Sequence, residues 1–480
     1  MDSHNVNSNI QDILSGGGGR FVYVTAALAA LNGLLFGFDT RIISGAFLFI
    51  ENKSTMSSLV EGIVVSGAMA GAAVGAAVGG KLADRLGRRR LILISAIVFF
   101  IGSLTMAVAP NVPVLVAGRL IDGVAIGSAS IVGPLYISEI APPKIRGALT
   151  SLNQLMVTVG ILSSYFVNFA LADSGSWRAM LGAGMVPAVI LAIGILKMPE
   201  SPRWLFEHGK EAEARAILQQ TRSGDVEKEL EEIRGTVSKQ SNTGLRDLLE
   251  PWLRPALVVG LGLAVFQQVT GINAVIYYAP TILESTEFGN ATSILATVGI
   301  GVINVVMTIV AIALIDRVGR RALLLTGVGG MVVTLGILGA VFYLPGFSGG
   351  LGIIATVSLM LFVAFFAIGL GPVFWLLISE IYPLAVRGSA MGIVTVANWG
   401  ANLLVSLMFP VMTANLGTPS RSGSSVCVAL LPLSSPTHSF RRRKVALSKQ
   451  SRTTSARISH RPPTTNVVRA YLFCLSAVSV

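Results

Sequence analysis

The chain repeats one pattern eleven times, an unbroken apolar stretch about as long as a bilayer is thick. The stretches cover residues 21–50, 59–80, 91–109, 112–137, 149–172, 179–197, 255–284, 291–315, 322–344, 350–379 and 388–413. A helix needs roughly 20 residues to cross the hydrocarbon core, and longer ones tilt or extend beyond it. No water reaches the backbone there, so each stretch must close its own hydrogen bonds as a helix. The expected fold class is therefore an all-α membrane protein. Composition agrees, with 52% hydrophobic and only 12% charged residues, where soluble domains carry about 25% charged.

What interrupts the stretches divides the chain. Residues 1–20 form a polar lead ending in Gly16–Gly19. It lacks the Lys-Ser/Thr of a phosphate loop and the basic start, short apolar core and small-residue site of a cleavable signal. Residues 21–197 make a first transmembrane half, and residues 198–254, charged and helical in pattern, a linker. Residues 255–415 make a second half and 416–480 a basic tail. Basic residues follow the even-numbered stretches: Lys81, Arg85 and Arg88–Arg90, then Lys144 and Arg146, then Arg317, Arg320 and Arg321, then Arg387. By the positive-inside rule these loops, the N-terminus and the linker are cytoplasmic, and the expected place is the plasma membrane, crossed many times. Ten of the twelve net positive charges fall in residues 421–480, which hold no Asp or Glu. The high pI is thus no sign of nucleic-acid binding by the body of the chain.

Polar side chains inside the apolar stretches carry the chemistry. Phe266-Gln267-Gln268-Val269-Thr270-Gly271-Ile272-Asn273 is followed by Tyr277 and Tyr278. Amides at that depth cost free energy unless each finds a partner, and they face a bundle interior or a wet cavity. They donate and accept hydrogen bonds, which suits a neutral, hydroxyl-rich solute. The alternative is that they hold helices together.

The halves also repeat. Ser138-Glu139-Ile140-Ala141-Pro142-Pro143-Lys144-Ile145-Arg146-Gly147 recurs as Ser379-Glu380-Ile381-Tyr382-Pro383-Leu384-Ala385-Val386-Arg387-Gly388. Asp84-Arg85-Leu86-Gly87-Arg88-Arg89 recurs as Asp316-Arg317-Val318-Gly319-Arg320-Arg321. Such pairing marks an internally duplicated transporter. Together with Pro199-Glu200-Ser201-Pro202-Arg203 and Gln267-Gln268-x-x-Gly271-Ile272-Asn273, these motifs resemble the sugar porter family of the major facilitator superfamily. The resemblance covers about residues 21–415. It implies a major facilitator fold of two six-helix halves with solute bound between them, and it needs no cofactor. Carried over by position, the implied solute contacts are Gln154, Gln267, Gln268, Asn273, Asn304, Trp375, Asn398 and Asn402. An indole face suits the apolar face of a sugar or cyclitol ring. No charged residue stands in that set, which points to an uncharged sugar or polyol.

The resemblance also implies a protonation switch formed by Asp39 in the first stretch and Arg119 in the fourth, the alternative being a static structural pair. Arg41, where the family usually has a small residue, could compete for Asp39. Two residues is about 200° around a helix, however, so that pairing needs a bent segment. Asp84, Arg85, Arg88, Glu139, Arg146, Asp316, Arg317, Arg320, Glu380 and Arg387 lie at cytoplasmic helix ends. They read as gate charges that pair in one state and separate in the other; retention of topology alone is the bland reading.

The tail departs from the pattern. The family's twelfth span and closing Pro-Glu-Thr-Lys-Gly do not follow Pro419, and the gain of Ser, Thr, Arg and Cys with loss of every acid reads as a shifted frame near residue 420. A basic tail that binds anionic lipid is the rival reading. The function expected is proton-coupled sugar or polyol transport by a single chain in the bilayer. The alternatives are a passive facilitator, a transporter-derived sensor and an inactive truncated chain. Four histidines without a nucleophile or metal-ligand cluster argue against an enzyme.

Overall fold

The computed structural model describes residues 17–416 apart from 52–55, 143–144, 222–225, 241–247, 249, 285–289, 344–350 and 383–385. The first half holds α1 (Gly17–Glu51), α2 (Ser58–Leu86), α3 (Arg88–Ala107), α4 (Val112–Ile140), α5 (Arg146–Leu171), α6 (Trp177–Gly182) and α7 (Met185–Leu196). The linker holds α8 (Pro202–Glu207), α9 (Glu211–Thr221) and α10 (Val226–Gln240). The second half holds α11 (Arg254–Val269), α12 (Ile272–Glu284), α13 (Asn290–Val318), α14 (Arg320–Tyr343), α15 (Leu351–Ile368), α16 (Leu370–Ile381) and α17 (Arg387–Leu416).

Among the described residues eleven spans are long and apolar enough to cross a membrane. Three of them are broken helices: α6 with α7, α11 with α12, and α15 with α16. The outward faces of the spans carry large exposed apolar side chains such as Val74, Val186, Ile193, Val258, Ile353 and Leu404. In water that surface would be costly at about 25 cal/mol per Å²; against lipid tails it is not. The expected loss of a twelfth span, and the tail with its frameshift reading, lie outside the described residues.

Glycine spacing decides how the first half packs. Gly67, Gly71, Gly75 and Gly79 recur every four residues, so they share one face of α2. A methyl group on Gly71 would strike the carbonyl of Leu120, and one on Gly75 the carbonyl of Val124. From the other side, Gly123 and Gly127 of α4 lie against the carbonyls of Ala68 and Ala72. The two backbones touch along a seam, the usual solution where lipid supplies no hydrophobic drive.

The duplication is visible in the main chain. Gly87 between α2 and α3 has φ 95°, and Gly319 between α13 and α14 has φ 87°. Each lets two helices meet at a single left-handed residue, a conformation a side chain disfavours. The halves meet where α2 packs on α17 and α5 packs on α13. Gly62 of α2 lies against Leu407 of α17, at the end of the bundle opposite the basic loops.

The linker is pinned to the first half. Glu200 accepts from the Arg89 amide at 3.0 Å, Ser201 donates its hydroxyl to Glu139, and the Trp204 indole donates to the Asp84 carbonyl at 2.7 Å. Trp204, Leu205, Ala214, Leu218 and Leu230 bury one another in a small core of their own.

Candidate functional site

The seventh span breaks at the amides. α11 ends at Val269, Gly271 takes φ 82°, and α12 starts at Ile272. The break leaves backbone groups without helical partners, and Thr270 answers part of this by donating its hydroxyl to the Gln267 carbonyl at 2.7 Å. It also sets Gln267 and Gln268 in the last turn of one helix beside Asn273 in the first turn of the next.

These side chains form one chain of hydrogen bonds. Asn273 Nδ2 donates to Gln268 Oε1 at 2.5 Å. Gln268 Nε2 donates to Asn398 Oδ1 at 3.1 Å and to Gln267 Oε1 at 3.3 Å. Asn398 Nδ2 donates to Gln267 Oε1 at 2.8 Å and to the Ala264 carbonyl at 3.1 Å. Gln267 Nε2 donates to the Leu370 carbonyl at 3.1 Å, where the tenth span is also broken. Both broken spans of the second half thus meet at this network, in which Gln267, Gln268 and Asn398 are almost wholly buried and Asn273 is half-buried. Leaving any of them unpaired would cost about 1–3 kcal/mol.

The first half contributes a side chain absent from the predicted set. Arg41 of α1 donates from Nη2 to Asn273 Oδ1 at 2.8 Å, and its guanidinium lies 4.6 Å from the centre of the Tyr277 ring. Arg41 is 6% exposed, and its Nε and Nη1 have no acceptor among the described residues. α1 stays helical through this stretch, so Arg41 points away from Asp39 and does not compete for it. The predicted set holds no charged residue, but the opposite half sends a cation to its amides.

The other predicted contacts lie around the network rather than in it. Asn402 is buried one turn beyond Asn398, and its Oδ1 accepts from Ser406 at 3.1 Å. Asn304 is buried on α13. Gln154 on α5 and Trp375 on α16 are half-buried, the latter edge-on to Phe374 with ring centres 4.9 Å apart. No hydrogen bond among the described residues joins Gln154, Asn304 or Trp375 to the network. Tyr278 stacks on Phe409 at 4.9 Å and donates to the Ser406 carbonyl at 3.4 Å, as packing.

Deeper in the first half, Arg119 Nη1 donates to Asp39 Oδ1 at 2.6 Å. Both side chains are sealed, at 0% and 1% exposure. Gly67 leaves room for Arg119 across the seam, since a methyl group there would lie 3.3 Å from the arginine Cβ. Asp122, one turn along α4, is also fully buried; it accepts from Ser103 of α3 at 3.2 Å, and its charge acts on that of Asp39. Sequence reading passed over Asp122, although a spacing of three from Arg119 puts both on one face.

At the basic-loop end the named charges pair within each half. Arg88 is buried between Glu139, at 3.0 Å, and Asp84, at 3.4 Å. Arg320 meets Glu380 at 3.0 Å, and Arg387 donates to the Tyr382 carbonyl at 3.2 Å. Arg85, Arg146 and Arg317 are exposed, and Asp316 lies in the last turns of α13.

Comparison with known proteins now decides the family. Residues 25–433 match the family described as "Sugar (and other) transporter". The chain belongs to this sugar transporter family. It is 47% identical over 81% of its length to the putative metabolite transport protein YwtG of Bacillus subtilis (strain 168), covering 85% of that protein. It is 46% identical over 82% of its length to the glucose transporter GlcP of Staphylococcus epidermidis, covering 89%. Among solved structures, the xylose transporter XylE from E. coli in a partially occluded inward-open conformation gives a TM-score of 0.75 at 32% identity, covering 86% of this chain and 96% of that one. The form described as a proton:xylose symporter bound to 6-bromo-6-deoxy-D-glucose gives 0.74 at 33%, covering 87% and 95%. The protein is thus a multi-pass membrane transporter of the major facilitator fold, not an enzyme.

Proposed function

We propose that this sugar transporter carries a sugar or polyol across the plasma membrane together with protons, by alternating access. The Gln267–Gln268–Asn273–Asn398 network and Arg41 form the centre of the solute site, with Gln154, Asn304, Trp375 and Asn402 at its margins. Asp39 and Arg119 couple the proton. The observation that carries this reading is the bond between Arg41 and Asn273, which ties the amide network of one half to the helix that holds the sealed acid of the other. A solute lodged at that junction touches both moving bodies, and α1 relays its presence to Asp39 two residues away.

The chemistry of the donors supports it. The amides already satisfy one another, so a hydroxylated solute exchanges amide–amide bonds for amide–hydroxyl bonds of similar strength and exposes no orphan. The names of the relatives point the same way, since two are called glucose and xylose transporters and one a proton symporter. Loop charge supports an N-terminus on the cytoplasmic side. The gate reading for Asp84, Arg85, Arg88, Glu139, Arg146, Asp316, Arg317, Arg320, Glu380 and Arg387 rests on their duplication at one end of the bundle. One chain supplies both halves of the site, which supports a working monomer.

Purified protein in proteoliposomes tests this. Labelled glucose or xylose should exchange in counterflow, and external sugar should drive proton entry. Gln268→Ala should weaken solute affinity about tenfold while protein still reaches the membrane. Unchanged uptake kinetics would take Gln268 out of the site. Binding without exchange would favour a sensor.

A further inference from the structure

Two carboxylates and one guanidinium are sealed together in the first half. Asp39, Asp122 and Arg119 are 1%, 0% and 0% exposed. With both acids ionised the trio would bear a net negative charge out of reach of water, which a protein interior resists strongly. Nothing nearby among the described residues offsets it. The groups acting on Asp122 are Asp39, Arg119 and the Ser103 hydroxyl. Arg41, on the same helix as Asp39, is turned to Asn273. α2 presents Gly67 to Arg119, and α3 presents Gly102 and Ser103 to Asp122, none of them charged.

The unsatisfied atoms are complementary. Among the described residues Asp39 Oδ2 and Asp122 Oδ1 each lack a donor, while Arg119 Nε and Nη2 lack acceptors. A proton held between the two acids supplies the missing donor and makes the trio neutral. We propose that Asp122 is a second proton-binding carboxylate of the coupling site: the sealed trio holds one proton shared by Asp39 and Asp122, and its release leaves Arg119 bridging both carboxylates. On release the O–H bond breaks, the proton goes to water, and both electrons stay on the carboxylate. Arg119 remains a cation throughout and uses the donors that are spare in the sealed state.

The arrangement has a directional consequence. With Asp39 alone, the neutral form of the site would be the proton-free one, and loading would strand a buried cation. With two acids the neutral form is the loaded one, so the state that shuts out water is the state that carries the proton. This rests on the proton-coupled reading above, and the test separates the two.

The measurement is sugar-driven proton entry and sugar counterflow in the same proteoliposomes. In the unaltered protein, sugar drives proton entry. If it does not, the coupled reading fails and takes this proposal with it. Given coupling, Asp122→Asn should lower proton entry at least about tenfold relative to its own counterflow, because Asp39 and Arg119 are then neutral without a proton. An unchanged ratio overturns the proposal. Should that variant fail to reach the membrane, Ser103→Ala decides, since it keeps every charge and removes only the hydroxyl that Asp122 accepts from. It should displace the pH midpoint of uptake by about half a unit, the worth of one hydrogen bond. An unmoved profile overturns the assignment.

Discussion

Arg41 uses one of its nitrogens on Asn273, rests its charge on Tyr277, and keeps two nitrogens without acceptors among the described residues. Hydroxyl oxygens of a bound sugar are the acceptors that such a group lacks. Arg41→Ala should therefore raise the apparent KM for sugar by about tenfold or more, the worth of a hydrogen bond to a charged group. Tighter binding in that variant would instead make the guanidinium an obstacle that the solute has to displace. The amides and Asp39 were legible beforehand, because a polar group inside an apolar run stands out in any reading. The direction of Arg41 was not. It follows from the phase at which α1 faces the other half, and nothing within its own segment encodes that. The action of Asp122 on Asp39 is likewise long-range in sequence, although the spacing of Asp122 from Arg119 offered a hint.

Among the helices, the membrane-crossing stretches were legible to within a few residues, because transfer into lipid depends on composition summed over a window. The breaks were not. Each stretch still reads as one apolar span across Thr270–Gly271, amides included, and across Gly369; freed carbonyls are taken up by the Thr270 hydroxyl at the first break and by the Gln267 amide at the second. Gly271 at φ 82° is the residue on which the seventh span turns. Gly271→Ala should cost about 1–2 kcal/mol, the penalty of a left-handed conformation for a residue with a Cβ. It should lower the thermal midpoint in detergent and weaken sugar binding together, since Gln268 and Asn273 sit on either side of the turn. Loss of stability with unaltered affinity would show that the two half-helices are placed by packing alone.

The two halves touch at the end opposite the basic loops, where Gly62 faces Leu407. Cysteines at both positions, in a background lacking Cys427 and Cys474, should form a disulfide on oxidation and stop uptake, with recovery on reduction. Continued uptake by the oxidised form would mean that the halves do not separate there during transport. Such separation requires each half to move as a block, and in the first half the block is held by the glycine seam of α2 and α4. That seam has a genetic consequence. Every coding change of a single base in a glycine codon adds a side chain, and the smallest of these, alanine, already drives Gly71, Gly75, Gly123 or Gly127 into a carbonyl of the facing helix. A saturation library selected for uptake should find these four positions nearly invariant while the lipid-facing Val74 between them drifts freely among apolar residues. The positions least open to replacement are thus ones with no side chain, silent in chemistry and first to fail under mutation.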